Sequence, residues 1–135
     1  MKVLYVCRAN IGRSQMAEFY HNLLLDEKSE SAGTQVGSWL YNLRLFQIEG
    51  TENVITVMKE KGIDISRNKL KSLSMDKIYE ADKIIIMAES ETIPSYLKNN
   101  IKIEYWKIKD PKGTDLDFHR KIRDEIINKI EYMLK

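Results

Sequence analysis

Val3-Leu4-Tyr5-Val6-Cys7-Arg8-Ala9-Asn10-Ile11-Gly12-Arg13-Ser14 runs from an apolar segment into the only cysteine of the chain, then to an arginine and a serine. Apolar residues recur directly afterwards at Met16, Ala17, Phe19, Tyr20, Leu23 and Leu24. The pattern predicts a buried strand over Lys2–Val6, a tight loop, and an amphipathic helix from Ser14 to about Leu25, with Asp26-Glu27-Lys28 leading out. A strand–loop–helix junction of this kind is an anion site. Loop N–H groups can point inward, and the helix N-terminus adds partial positive charge. Arg13 offers a planar fork of donors to two oxygens of a phosphate or similar oxyanion. Cys7 lies at the base of the loop, where a helix N-terminus and an arginine both favour the thiolate. Ser14 is placed to bond the sulfur, to cap the helix, or both. Asn10 and Gly12 both tolerate left-handed backbone. The chemistry this implies is a cysteine nucleophile attacking phosphorus at the bottom of an oxyanion cradle. Taken alone, a cysteine at a strand end is equally a small buried hydrophobe.

Working outward, Ser31-Ala32-Gly33-Thr34 reads as a second strand and turn, its small residues letting the backbone pack against the loop. Gln35 to Gly50 has no clean period. It reads either as a partly helical cover of the core or as an aromatic wall beside the anion site, built by Trp39 or Tyr41. Thr51-Glu52 opens a helix through Val54, Val57 and Met58 that Gly62 stops. Ser66 to Leu73, with Arg67, Lys69 and Lys71, reads as a solvated loop, and Ser74 starts a short helix ending near Glu80. Lys83–Met87 is a second buried strand. Glu89 to Leu97 is a loop and short helix broken by Pro94, and Ile101–Ile108 alternates into a fourth strand. Asp110-Pro111-Lys112-Gly113-Thr114-Asp115 is a turn. A last helix from Leu116 to Leu134 carries the stripe Phe118, Ile122, Ile126, Ile127, Ile130, Leu134. Glu18, Asp115, Asp117, His21 and His119 read as surface or capping groups. Strands alternating with helices predict an α/β domain with a parallel sheet covered on both sides. Ligands in such sheets bind beyond the strands' carboxyl ends, where both Cys7 and Asp110 fall.

The 135 residues form one domain, 1–135. A net charge of +2 gives no reason to expect nucleic acid or a membrane surface as partner. A single cysteine excludes an internal disulfide. The apolar run at Met1–Val6 is short for a secretory leader and no stretch is long enough to span a bilayer, so a cytoplasmic protein is expected. Neither a cofactor nor a metal is called for.

Cys7-Arg8-Ala9-Asn10-Ile11-Gly12-Arg13-Ser14-Gln15-Met16-Ala17-Glu18 resembles the signature of the low-molecular-weight protein tyrosine phosphatases, whose fold the thioredoxin-coupled arsenate reductases share. Ser31-Ala32-Gly33-Thr34, Gly62-Ile63-Asp64-Ile65-Ser66, Ala81-Asp82-Lys83-Ile84-Ile85-Ile86-Met87 and Asp110-Pro111 resemble further motifs of that family, in order, over nearly the whole chain. The resemblance implies a three-layer α/β/α fold with four parallel strands in order 2-1-3-4. It implies Cys7 as nucleophile, Arg13 as anion clamp and Asp110 as general acid. Residues Arg8, Ala9, Asn10, Ile11, Gly12, Arg13 and Ser14 would bind phosphate, with Asn10, Ser14 and Ser31 in support.

The chain also departs from the family. Gly12 stands where many members carry a second cysteine, Ala9 where glycine is usual, and Asn68 where a histidine often supports the loop. Lys112 and Gly113 follow Asp110-Pro111 where phosphotyrosine-selective members carry aromatics. Gln15-Met16 leans toward the arsenate reductases, but their two relay cysteines are missing, so reduction would need an external thiol. Ile11 leans toward the phosphotyrosine type rather than the phosphoarginine type. The expected function is therefore a metal-independent phosphatase acting on a phosphorylated protein or small aryl phosphate. Its alternatives are an arsenate reductase with an external thiol donor and a phosphate-binding regulator.

Overall fold

The computed structural model describes residues 1–25 and 28–135. Asp26 and Glu27, read above as leading out of the first helix, lie outside the described residues. Four parallel strands form one sheet: β1 (Val3–Cys7), β2 (Glu30–Gly33), β3 (Lys83–Ile86) and β4 (Ile103–Tyr105), in the order β2-β1-β3-β4. Among the described residues five α-helices flank it: α1 (Arg13–Leu24), α2 (Glu52–Lys59), α3 (Met75–Glu80), α4 (Ser95–Lys98) and α5 (Leu116–Met133). The order 2-1-3-4 and the three layers agree with expectation.

The two-residue period of β1 sorts its side chains between two cores. Val3, Tyr5 and Cys7 face the layer that holds Met16 of α1, Val57 and Met58 of α2, and Ile122 and Ile126 of α5. Leu4 and Val6 face the other layer with Ile78 of α3 and Leu97 of α4. Both faces are buried, as a central parallel strand requires. Each fully buried Leu or Ile of this kind contributes about 1.5–3 kcal/mol. The register pairs Cys7 with Gly33 and Val6 with Ile86, so the carboxyl ends of β1, β2 and β3 meet at one edge.

Several expectations are corrected. The fourth strand is only Ile103–Tyr105, not Ile101–Ile108. It is an edge strand paired only with β3. Ile101 is fully exposed, and the chain turns in at Trp106, where Ile108 N–H closes on the Trp106 carbonyl at 3.0 Å. Pro94 opens α4 rather than breaking it. The expected apolar face of α1 is wrong at its end. Leu23 and Leu24 are exposed, while Ser14, Gln15, Glu18 and His21 are buried with Met16 and Ala17. His21 is not a surface residue: the Tyr5 hydroxyl bonds its Nδ1 at 2.8 Å, and burial lowers its pKa. His119 is likewise buried. Among the described residues no helix is long and apolar enough to cross a membrane.

Candidate active site

Cys7 ends β1 and α1 begins six residues later, so the chain between them turns sharply beneath the helix. Asn10 makes that turn possible with φ +58°, a region Asn tolerates. Gly12 does not use the freedom expected of it, its φ being −111°. Close packing is instead the task of Gly33. A Cβ there would sit 2.7 Å from the Arg8 carbonyl and 2.9 Å from the Asn10 nitrogen. Thr34 N–H bonds the Cys7 carbonyl at 2.9 Å and Gln35 N–H the Arg8 carbonyl at 2.8 Å, tying the loop to the segment after β2.

The polar side chains behind the loop have their donors and acceptors fixed by elimination. Asn10 Oδ1 accepts from the Lys71 N–H at 2.9 Å and from Gln15 Nε2 at 3.3 Å. Its Nδ2 therefore donates, to Ser14 Oγ at 2.7 Å and Ser31 Oγ at 2.9 Å. Ser31 passes its proton to Glu18 Oε1 at 2.5 Å, and Lys71 Nζ donates to the same oxygen at 2.6 Å. Ser14 Oγ also pairs with Cys7 Sγ, 3.0 Å away, a bond in which either atom can donate. It serves the sulfur and not the helix cap, which is Gly12 and has no side-chain bond. Asn68 Nδ2 joins the network by donating to Gln15 Oε1 at 3.1 Å.

Glu18 and Lys71 thus belong to this network, not to the solvated surface assigned to them. The helical spacing of Ser14 and Glu18, four apart on one face, is the signal that was available.

Arg13 is 2% exposed and heavily bonded. Nη1 donates to the carbonyls of Met87 and Ile108, at 2.5 and 3.0 Å, and to Glu89 Oε2 at 2.9 Å; Nη2 donates to Glu89 Oε1 at 3.1 Å. Glu89 takes the guanidinium end-on. Of its five N–H donors the Nε edge, with the second proton of Nη2, is left for an oxyanion. Asp110 Oδ2 stands 3.7 Å from Nη2. Burial pulls the Arg13 pKa down, but the Glu89 bonds and the charges of Cys7, Asp110 and Glu89 outweigh it and hold it above its ordinary value. Glu89 is in turn held below the usual carboxylate range by its bond to Arg13. Sequence reasoning missed Glu89. Its place just beyond the buried strand β3, beside β1 in the sheet, is the clue it offered.

Cys7, Ala9, Ile11, Gly12, Arg13 and Asp110 line one cavity of about 70 Å³, together with Pro111, Lys112, His119 and a wall of Glu49, Gly50, Thr51 and Val54. Asn10 and Ser14 hold the loop from behind, and Arg8 is exposed, bonded to Gln35 Oε1 at 3.0 Å. Trp39 and Tyr41 are not among the residues lining the cavity. Trp39 is 80% exposed, and the Tyr41 hydroxyl pairs with Ser72 Oγ at 2.9 Å. The Gln35–Gly50 segment instead buries Leu45 and Ile48 in the core and lends its end, Glu49 and Gly50, to the cavity.

The fold and site define an α/β protein with a buried cysteine under a strand–loop–helix turn, and a glutamate-clamped arginine and an aspartate at the same cavity. Comparison makes this specific: the family model "Low molecular weight phosphotyrosine protein phosphatase" matches residues 2–135, and the chain belongs to that family. It is similar to "Arsenate reductase 1" of Staphylococcus epidermidis, 29% identical over 131 residues that cover 96% of this chain and 92% of the relative. Among solved structures it is similar to the low molecular weight protein tyrosine phosphatase from T. tengcongensis, at 28% identity and a TM-score of 0.83, covering 99% of this chain and 97% of that one. The YwlE arginine phosphatase from Geobacillus stearothermophilus shares the fold, with a TM-score of 0.77 at 23% identity, over 98% of this chain and 89% of that one.

Proposed function

We propose that the protein is a cysteine-dependent phosphatase that hydrolyses phosphotyrosine or another aryl phosphate monoester through a phosphocysteine. The observation that carries this reading is the convergence of Cys7, Arg13 and Asp110 on one cavity. A monoester's negative charge repels nucleophiles, so the site must neutralise it first. The free edge of Arg13 and the backbone N–H groups of residues 8–13 supply that neutralisation, most strongly to the equatorial oxygens of the transition state. The Cys7 thiolate attacks phosphorus. The P–O bond breaks, and the leaving oxygen takes its electron pair and a proton from Asp110. Water then attacks the phosphocysteine while the Asp110 carboxylate accepts its proton. The S–P bond breaks, the thiolate returns and inorganic phosphate leaves. Pro111 restricts the backbone next to Asp110.

Purified protein should hydrolyse para-nitrophenyl phosphate at mildly acid pH with chelator present. Cys7→Ser should abolish turnover and Asp110→Ala should reduce it strongly. Full activity in Cys7→Ser would sink the reading.

A second reading, arsenate reduction, is favoured by the names of the relatives that match at 26–29% identity. With Cys7 as the only cysteine, the two electrons that reduce arsenate would come from external thiols. Conversion of arsenate coupled to glutathione or thioredoxin would support this reading, and no conversion with any thiol donor would remove it.

A further inference from the structure

We propose that His119 contacts the leaving group of the substrate in the Cys7 cavity and helps select it, an inference that rests on the phosphomonoesterase reading above. His119 lies early in α5. It is 4% exposed, yet it lines the same cavity as Cys7 and Asp110. No step of the mechanism uses it.

Its hydrogen bonds determine what the ring can offer. Nδ1 lies 2.9 Å from the Asp115 carbonyl, which can only accept, so Nδ1 carries the proton. Thr114 Oγ1, 3.1 Å from the same nitrogen, already gives its own proton to the Pro111 carbonyl at 2.6 Å, so it too accepts from Nδ1. Both partners of Nδ1 belong to the chain's own turn. Nε2 is therefore the nitrogen left for a ligand.

Two further features support this role. Of the residues lining the cavity, His119 alone has an aromatic ring, and the positions after Asp110-Pro111 are Lys112 and Gly113. His119 is also joined through Thr114 to the Pro111 carbonyl, next to the candidate proton donor. One side chain thus both faces the leaving group and fixes the turn that protonates it. An oxyanion seated on the Cys7 loop without a leaving group would not need His119.

The test separates the two nitrogens. Asn mimics the Nδ1 donor and removes the rest of the ring, whereas Gln reaches toward the Nε2 position and loses the Nδ1 clasp. Binding of inorganic phosphate and of non-hydrolysable phenylphosphonate is measured by calorimetry. His119→Asn should bind phosphate within about twofold of wild type and phenylphosphonate about tenfold more weakly. His119→Gln should lower the thermal midpoint and weaken phenylphosphonate less than Asn does. Equal binding of both ligands by His119→Asn and wild type, or an equal loss for both, would overturn the proposal.

A second measurement needs no variant. In wild type the His119 Hε1 resonance should move further with phenylphosphonate than with phosphate, while that of His21 stays still. Equal movement with the two ligands, or none, would contradict the proposal. Neither readout depends on turnover. An inactive wild type in which His119→Asn still selectively weakens phenylphosphonate would therefore defeat the phosphatase reading alone. Active enzyme in which it does not would defeat the His119 proposal alone.

Discussion

Arg13 and Arg123 are both buried, both hold a glutamate and both donate to backbone carbonyls. Arg123 gives Nη1 to the Val57 carbonyl at 2.9 Å and to Glu60 at 2.6 Å, and Nε to Asp124 at 2.9 Å. It staples α5 to the end of α2, where Arg120 binds the same Glu60. Arg13 is fixed end-on by Glu89, but its other edge is left over, in a cavity shared with Cys7 and Asp110. In both, burial pulls the pKa down and the carboxylate bonds raise it above the ordinary value. Burial, pairing and the direction of the pKa shift are therefore the same for an arginine that joins two helices and for one at the candidate site. The donors that remain, and what they face, do separate them.

The largest expected difference is between the two arginines themselves. Arg13→Lys keeps the charge and loses the fork, and should lower kcat/KM for para-nitrophenyl phosphate by about a thousandfold. Arg123→Lys should leave it within about twofold, because it touches no part of the cavity. Steady-state kinetics on the pair checks this, and a comparable loss in both would break the distinction.

Asp110→Asn comes next, with an expected loss of about a hundredfold on poor leaving groups and less on para-nitrophenol, which needs little protonation. A loss independent of the leaving group's acidity would count against Asp110 as proton donor. Glu89→Gln should cost about tenfold in kcat/KM by loosening the hold on Arg13. Glu60→Gln should leave kinetics alone.

The smallest effect concerns acid stability. The bonds from Arg120 and then Arg123 hold Glu60 down to about 2, against its ordinary 4.5. Because the folded value is the lower one, its stabilisation is complete above about pH 4.5 and fades as pH falls toward about 2. Denaturant unfolding should show a gap between wild type and Glu60→Gln that is constant near neutrality and closes across that window. A gap that widened on acidification would reverse the sign of this account.

The parts legible in the sequence were those that obey a period or a turn rule. The β1–loop–α1 junction was visible because an apolar run stops at Cys7 and a helical spacing begins. Ser74 and Asp115 were readable as helix starts, and both accept the expected capping bond, from Lys77 and Phe118. The sheet order came from resemblance, since no local pattern encodes which strands are neighbours.

Glu18, Lys71, His21 and His119 were misread because polarity suggests solvent. Glu18 and Lys71 instead complete the hydrogen bonds behind the Cys7 loop, while His21 and His119 find their partners in the Tyr5 hydroxyl and in the turn before α5. Glu89 was invisible because a lone acid in a loop acquires meaning only when an arginine far away in sequence is folded against it. Trp39 and Tyr41 attracted notice through size, yet the cavity wall near them in sequence is made by Glu49 and Gly50.

The central claim is that Cys7 carries the phosphoryl group. Rapid acid quench of the enzyme during turnover of para-nitrophenyl phosphate, followed by peptide mass spectrometry, tests it directly. The account predicts one added phosphoryl group on the peptide containing Cys7, absent in Cys7→Ser. Steady turnover with an unmodified Cys7 peptide, or turnover that survives Cys7→Ser, would contradict it.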